Sequence, residues 1–169
     1  MRGLRLCLMC WLPLLVACTG LPAGVEPVKG FELNRYLGAW HEVARLDHSF
    51  ERGLSQVSAT YSMRDDGGVR VINRGWDTQT GEWREAQGKA YFVGTPDTAH
   101  LKVSFFGPFY GSYAVFWLDD NYQYAFISGN TNGYLWLLAR SESVPEAIKL
   151  QFIAQARALG FNPEQLIWL

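Results

Sequence analysis

Cysteine is scarce: only Cys7, Cys10 and Cys18 occur in 169 residues, and the first two lie within the first ten positions. A disulfide framework is therefore excluded for the bulk of the chain, which must be held by packing. Charge is sparse too, at 18% of residues, with 15 basic against 16 acidic side chains and no basic run. That balance excludes the electrostatic footprint of a nucleic-acid binder. The three histidines, His41, His48 and His100, stand far apart and form no metal-ligand spacing. No repeat is present, and no apolar run reaches the roughly 20 residues that a membrane-spanning helix needs.

What the chain does have begins with a leader. Arg2 and Arg5 precede an apolar stretch from Leu6 to Ala17, which is too short to span a bilayer and suits the h-region of a signal peptide over residues 1–17. Leu15-Val16-Ala17-Cys18 resembles the bacterial lipobox, so Cys18 is the expected lipidation site and first mature residue. Thr19 after it implies, through the same resemblance, sorting to the outer membrane. Several acyl chains anchor firmly where one is marginal. Residues 18–30, rich in Gly and Pro and without periodicity, read as a lipidated tether. Without Arg2 and Arg5 the mature chain carries 13 basic and 16 acidic groups. Its 152 residues suffice for one domain, over 31–169.

Within that domain, short apolar-alternating runs are separated by turn sequences such as Asp65-Asp66-Gly67-Gly68 and Thr78-Gln79-Thr80-Gly81. The spacing predicts eight strands, near 39–46, 55–64, 69–77, 83–94, 99–106, 112–119, 122–129 and 133–140. Short connections favour an up-and-down antiparallel order, which can close into a barrel and remove its edges. The period then changes: Pro145-Glu146 opens a helix carrying Ile148, Phe152, Ile153, Ala156 and Leu159, with Gly160 as its stop. The expected fold is all-β, an eight-stranded antiparallel barrel with one C-terminal α-helix packed outside, followed by a strand-like Gln165–Leu169.

Taking Trp40 as inward, strand alternation places Glu42 and Ala44 beside it. The same rule turns Val57, Ala59, Tyr61, Val69, Val71, Asn73, Ala90, Phe92, Leu101, Val103, Phe105, Tyr113, Val115, Ala125, Ile127, Tyr134, Trp136 and Leu138 into the barrel. The candidate ligand-binding set is Glu42, Ala59, Tyr61, Asn73, Ala90, Phe92, Val103, Phe105, Tyr113, Ile127, Tyr134 and Trp136. Small residues at positions 44, 59, 90 and 125 argue for space inside, although a filled core would need them as well. Phe105-Phe106-Gly107-Pro108-Phe109-Tyr110-Gly111 is either a hydrophobic lip or a cover over the barrel.

Gly38-x-Trp40 at the first strand, Arg140 at the end of the eighth, and the runs Leu46–Gly53, Arg64–Gly68 and Lys102–Gly111 together resemble the lipocalins, most closely their bacterial outer-membrane lipoprotein branch. The second lipocalin motif is degenerate here, as Asp119-Asp120-Asn121-Tyr122. The resemblance implies a calyx for fatty acids or lysophospholipids, a role in envelope maintenance, a possible homodimer, and Arg140 packed over Trp40 at the closed end. Some lipocalins are catalytic and others bind haem or siderophores, but the residues of this chain lead us to expect no cofactor, no metal and no enzyme. Lipocalin synthase chemistry needs a thiol in the barrel, and none is expected there. Glu42 is the one carboxylate expected inside, most simply as the partner of a buried Arg, Tyr or water. A siderophore carrier would need inward Lys or Arg, and alternation supplies none.

Overall fold

The computed structural model describes residues 19–169. The leader and Cys18 lie outside the described residues. A short helix α1 (Leu33–Tyr36) leads into β1 (Gly38–Leu46), β2 (Leu54–Met63), β3 (Val69–Asp77), β4 (Glu82–Phe92), β5 (His100–Ser104), β6 (Gly111–Leu118), β7 (Tyr124–Ser128) and β8 (Leu135–Ala139). Helix α2 (Glu146–Ala158), a 3₁₀ turn (Pro163–Gln165) and β9 (Leu166–Trp168) complete the chain. Every expected strand is present, within a few residues of its expected bounds. The strands pair antiparallel in sequence order, and β1 closes the barrel between β8 and β2.

Closure is shared along β1. Its first half, Gly38 to His41, pairs with β2, while Ala44 to Leu46 pairs with β9. The last strand thus takes over the edge that β2 leaves, and Leu169 N–H adds a bond to the Val43 carbonyl at 2.9 Å. An open edge is a template for aggregation, so β9 protects it.

Two apolar cores result. One lies inside the barrel around Trp40, Tyr61, Val71, Leu101, Val115, Ile127 and Leu138. The other lies outside, where Phe152 and Ala156 of α2 pack on Val43, Ala44, Phe126, Leu135 and Leu137. Ala44 belongs to this outer core, not to the barrel interior as alternation suggested. The cause is a bulge in β1: its register against β8 shifts between Glu42 and Ala44, and one extra residue turns the following side chains to the opposite face. Arg45 consequently turns to the side of Glu42, which supplies an inward guanidinium that alternation had not offered.

The segment read as a tether packs on the barrel over most of its length. Val25 is buried, Val28 N–H donates to the Val115 carbonyl at 2.9 Å, Ala99 N–H to the Val28 carbonyl at 2.8 Å, and Phe31 N–H to the Asp97 carbonyl at 2.8 Å. Its apolar residues find partners that composition alone does not reveal.

Candidate functional site

Antiparallel order sends the loops 47–53, 78–81, 105–110 and 129–134 to one end of the barrel and 64–68, 93–99 and 119–123 to the other. The second end is closed. Phe31 and Tyr36 cover it, their rings 5.2 Å apart, and Tyr36 lies 4.8 Å from Trp40. Trp40 is fully buried and donates its indole N–H to the Tyr36 carbonyl at 2.8 Å. The Arg140 guanidinium stacks 4.0 Å over the Trp40 ring and donates to the carbonyls of Ala39, Arg35, Tyr36, Leu37 and Tyr122 at 2.8–3.3 Å. Gly38, beside Arg140 Nη1, has φ +94°, a backbone conformation that glycine adopts without strain. The degenerate second motif still works: the Asp119 carboxylate accepts from the backbone N–H groups of Asn121, Gln123 and Tyr124, and Tyr122 Oη accepts from Glu32 N–H.

Above this floor lies a cavity of about 100 Å³, lined among others by Phe31, Leu33, Val57, Val69, Val71, Leu101 and Leu138. Of the twelve candidate residues, Glu42, Ala59, Tyr61, Asn73, Ala90, Val103, Phe105, Tyr113 and Trp136 line it. The other three do not. Phe92 packs against Phe31 at the closed end, Ile127 is wholly buried in the inner core, and Tyr134 stacks 6.0 Å from Trp136 at the mouth. The cavity shares Phe50, Glu51, Val57, Asn73, Val103 and Phe105 with an outer vestibule of about 560 Å³, partly open to solvent, whose rim includes Phe106, Phe109 and Tyr110. Phe106 and Phe109 are 79% and 77% exposed, so the aromatic loop is a lip with free tips rather than a packed cover.

Polar groups inside fall into two sets. Near the floor, Tyr113 Oη meets Tyr36 Oη at 2.7 Å and Tyr61 Oη at 3.0 Å. Burial pushes all three phenols above their ordinary range, so they stay protonated. Three hydroxyl protons serve two mutual contacts, which leaves one donor for a further acceptor.

Between floor and mouth stands a charged cluster. Arg45 Nη1 donates to Glu42 Oε1 at 2.6 Å, and Arg45 Nη2 donates to the carbonyls of Glu51 and Leu54 at 3.0 Å. The Glu51 carboxylate accepts from Trp136 Nε1 at 3.1 Å. His48 Nε2 comes within 2.9 Å of Glu51 Oε2 but off the line of a directed hydrogen bond, and the ring stacks 4.0 Å from Phe50. Burial, reinforced by the facing Glu51 carboxyl and opposed by Arg45, holds the Glu42 carboxyl well above its ordinary range. Glu51 and Arg45 are additions to the sequence reading, which placed one carboxylate and no guanidinium inside. A loop that folds inward and a bulge leave no periodic signal; the pattern Glu42-x-x-Arg45 and the Phe50-Glu51 pair were the only traces.

Among the described residues no group of three His, Cys, Asp or Glu is arranged to hold a metal, and no helix is long and apolar enough to cross a membrane. A closed eight-stranded barrel with an apolar interior, one stoppered end and an outer helix defines the lipocalin class. The chain belongs to that family: the model for the lipocalin-like domain matches residues 31–169. It is 58% identical to the outer membrane lipoprotein Blc of Vibrio cholerae, over 92% of each chain, and 49% identical to the protein of that name in Escherichia coli K12, over 92% of this chain and 89% of the relative. Similarity extends to temperature-induced lipocalin-1 of Arabidopsis thaliana, at 32% over 84% and 80%. Among solved structures, insecticyanin from the tobacco hornworm Manduca sexta superposes with a TM-score of 0.68 at 21% identity, covering 88% of this chain and 85% of that one, a likeness of fold alone.

Proposed function

We propose that the protein is an outer-membrane lipoprotein, anchored through acylated Cys18, that binds single-chain lipids such as fatty acids or lysophospholipids in the barrel and stores or transports them in envelope maintenance. The observation that carries this reading is the cavity itself. It is open at one end only, walled by Val57, Val69, Val71, Ala90, Leu101, Val103 and Leu138, and entered past an aromatic lip. Each methylene moved from water into such a pocket contributes about 0.8 kcal/mol, so ten suffice for useful affinity after ordering costs. The names of the relatives support the anchor and the compartment.

Native mass spectrometry of the chain from Thr19 onward, which carries the whole described fold, tests the proposal. A fatty acid or lysophospholipid at about one per barrel is the expected result, and the same spectrum reads whether the homodimer forms. An empty barrel whose unfolding temperature ignores added lysolipid would favour a structural lipoprotein instead, since a ligand of the native state stabilises by mass action.

A further inference from the structure

Followed back from the closed end, the segment before α1 climbs the outside of the barrel. Phe31 sits at the floor, Val28 bonds to Val115 partway along β6, and Gly24 backs onto the Leu159 side chain just past the end of α2. The Leu159 carbonyl accepts from Asn132 Nδ2 at 3.3 Å, and Asn132 belongs to a mouth loop. A turn closed by the Val25 N–H to the Pro22 carbonyl at 3.1 Å then leaves Pro22 buried and Leu21 packed on the outer core. Leu21 is three residues from Cys18, a span of at most about 10 Å. The ten residues of β2, by comparison, make about 33 Å of strand. A chain that leaves from the mouth side with so short a free length keeps the mouth, rather than the closed end, beside whatever holds Cys18.

The two ends also differ in what they offer a bilayer. Three of the four mouth loops, 78–81, 105–110 and 129–134, contain no charged residue. Phe106 and Phe109 expose most of their rings there, and Phe50 and Trp83 are about half exposed at the same end. The charges nearest to them are paired, Asp47 with Arg52 and Asp77 with Arg84, each at 2.6 Å, and Arg74 lies over the Trp83 ring. The closed-end loops 64–68, 93–99 and 119–123 carry Asp65, Asp66, Asp97, Asp119 and Asp120 against Arg64 alone. An anionic leaflet repels that end, whereas uncharged loops tipped with aromatic rings suit the head-group layer. We propose that the anchored protein stands mouth-down on the membrane that holds its acyl chains, with Phe106 and Phe109 set into the head-group layer. Single-chain lipid then passes between bilayer and barrel along the aromatic lip without crossing bulk water, and the short link to Cys18 holds the mouth in place for repeated transfers.

This orientation rests on the anchored-carrier reading, and the two fail separately. From Thr19 onward the chain has no cysteine, so one introduced thiol can carry a fluorophore in the full acylated protein. Thr80→Cys labels the mouth and Asp120→Cys the closed end, both at exposed positions. Each protein is reconstituted in vesicles of phosphatidylcholine and phosphatidylglycerol that contain nitroxide-labelled phosphatidylcholine. The expected result is quenching several-fold stronger at position 80 than at position 120, and a loss of that preference when Phe106→Ser and Phe109→Ser are added. Equal quenching at both positions would mean a barrel lying on its side or held free of the surface, and stronger quenching at position 120 an inverted one; either overturns the proposal. A mouth covered by a second copy overturns it as well, and shows as an unquenched Thr80→Cys probe together with a dimer on cross-linking. A mature protein whose mass lacks acyl chains overturns both the anchor and the orientation. Strong quenching at position 80 in a protein that takes up no lysolipid would leave the orientation standing and sink the carrier.

Discussion

The two ends of the barrel are made from the same kinds of residue and do opposite things with them. At the closed end one arginine, Arg140, stacks on a buried tryptophan and spends its donors on five carbonyls. Towards the mouth, Arg45 is more deeply buried than Arg140 but sits with two carboxyls, and its Nε, His48 Nδ1 and Asn73 Oδ1 lack partners. Aromatic rings divide the same way: Trp40 is wholly enclosed, while Phe50, Phe106 and Phe109 are more than half exposed. A satisfied end is a foundation. An end with unmet hydrogen-bonding capacity and free apolar surface is where a ligand has something to gain.

The largest effect should come from breaking the foundation. Trp40→Ala removes a fully buried indole, its bond to Tyr36 and the seat of Arg140. A loss of about 3–5 kcal/mol is expected, as for other buried aromatics cut to alanine, read as a fall in the urea midpoint at unchanged slope. A loss below about 1 kcal/mol would mean the closed end is not where stability resides.

A smaller effect, with a pH signature, belongs to the mouth. The folded protein holds the Glu42 proton above the pH at which an unfolded carboxyl, near 4.3, gives it up. The native state therefore binds more protons than the unfolded one over that interval. This contribution to stability is present at and below the ordinary carboxyl range and is lost as pH rises through the raised folded value. Glu42→Gln keeps the shape of the protonated acid, so it should lie within about 1 kcal/mol of the parent near pH 5 and should abolish the decline above it. Asp66 and Asp77 act in a separate window. Arg64, the Gly68 N–H and the Tyr91 hydroxyl lower the first, and the Gln79 and Thr80 N–H groups with Arg84 the second, so their contributions disappear on acidification below the ordinary range. Urea melts at several pH values separate the two; identical slopes in the parent and Glu42→Gln would show that Glu42 ionises normally.

The same contrast explains how far the sequence could be read. Strands and the outer helix were legible because period two and period 3.6 are local, and Trp40 with Arg140 was legible because a motif resemblance marked both. The mouth was not. Ala44 was assigned inward because alternation assumes an unbroken strand, and a single inserted residue at the bulge reverses it. The same bulge brings Arg45 to Glu42, and Glu51 arrives from a loop, where no periodicity exists to read. Phe92, Ile127 and Tyr134 do point to the interior or mouth, yet packing at the floor, in the core or against Trp136 keeps them from the cavity surface. Face follows from sequence; which inward residues border empty space depends on how neighbours from distant strands fill it.

The smallest expected effect is the most discriminating for the lip. Phe106 and Phe109 have the chemistry of core residues but bury little, so the double change Phe106→Ser and Phe109→Ser should alter stability by less than about 0.5 kcal/mol. Trp40→Ala, which truncates one aromatic rather than two, should still exceed it several-fold, because what differs is the area withdrawn from water and not the type of side chain. A midpoint shift equivalent to more than about 1 kcal/mol in the double variant would show that the loop is packed over the barrel in solution. In that case the vestibule opens only when the loop moves, and lipid uptake would have to wait on that motion rather than proceed through a standing aperture.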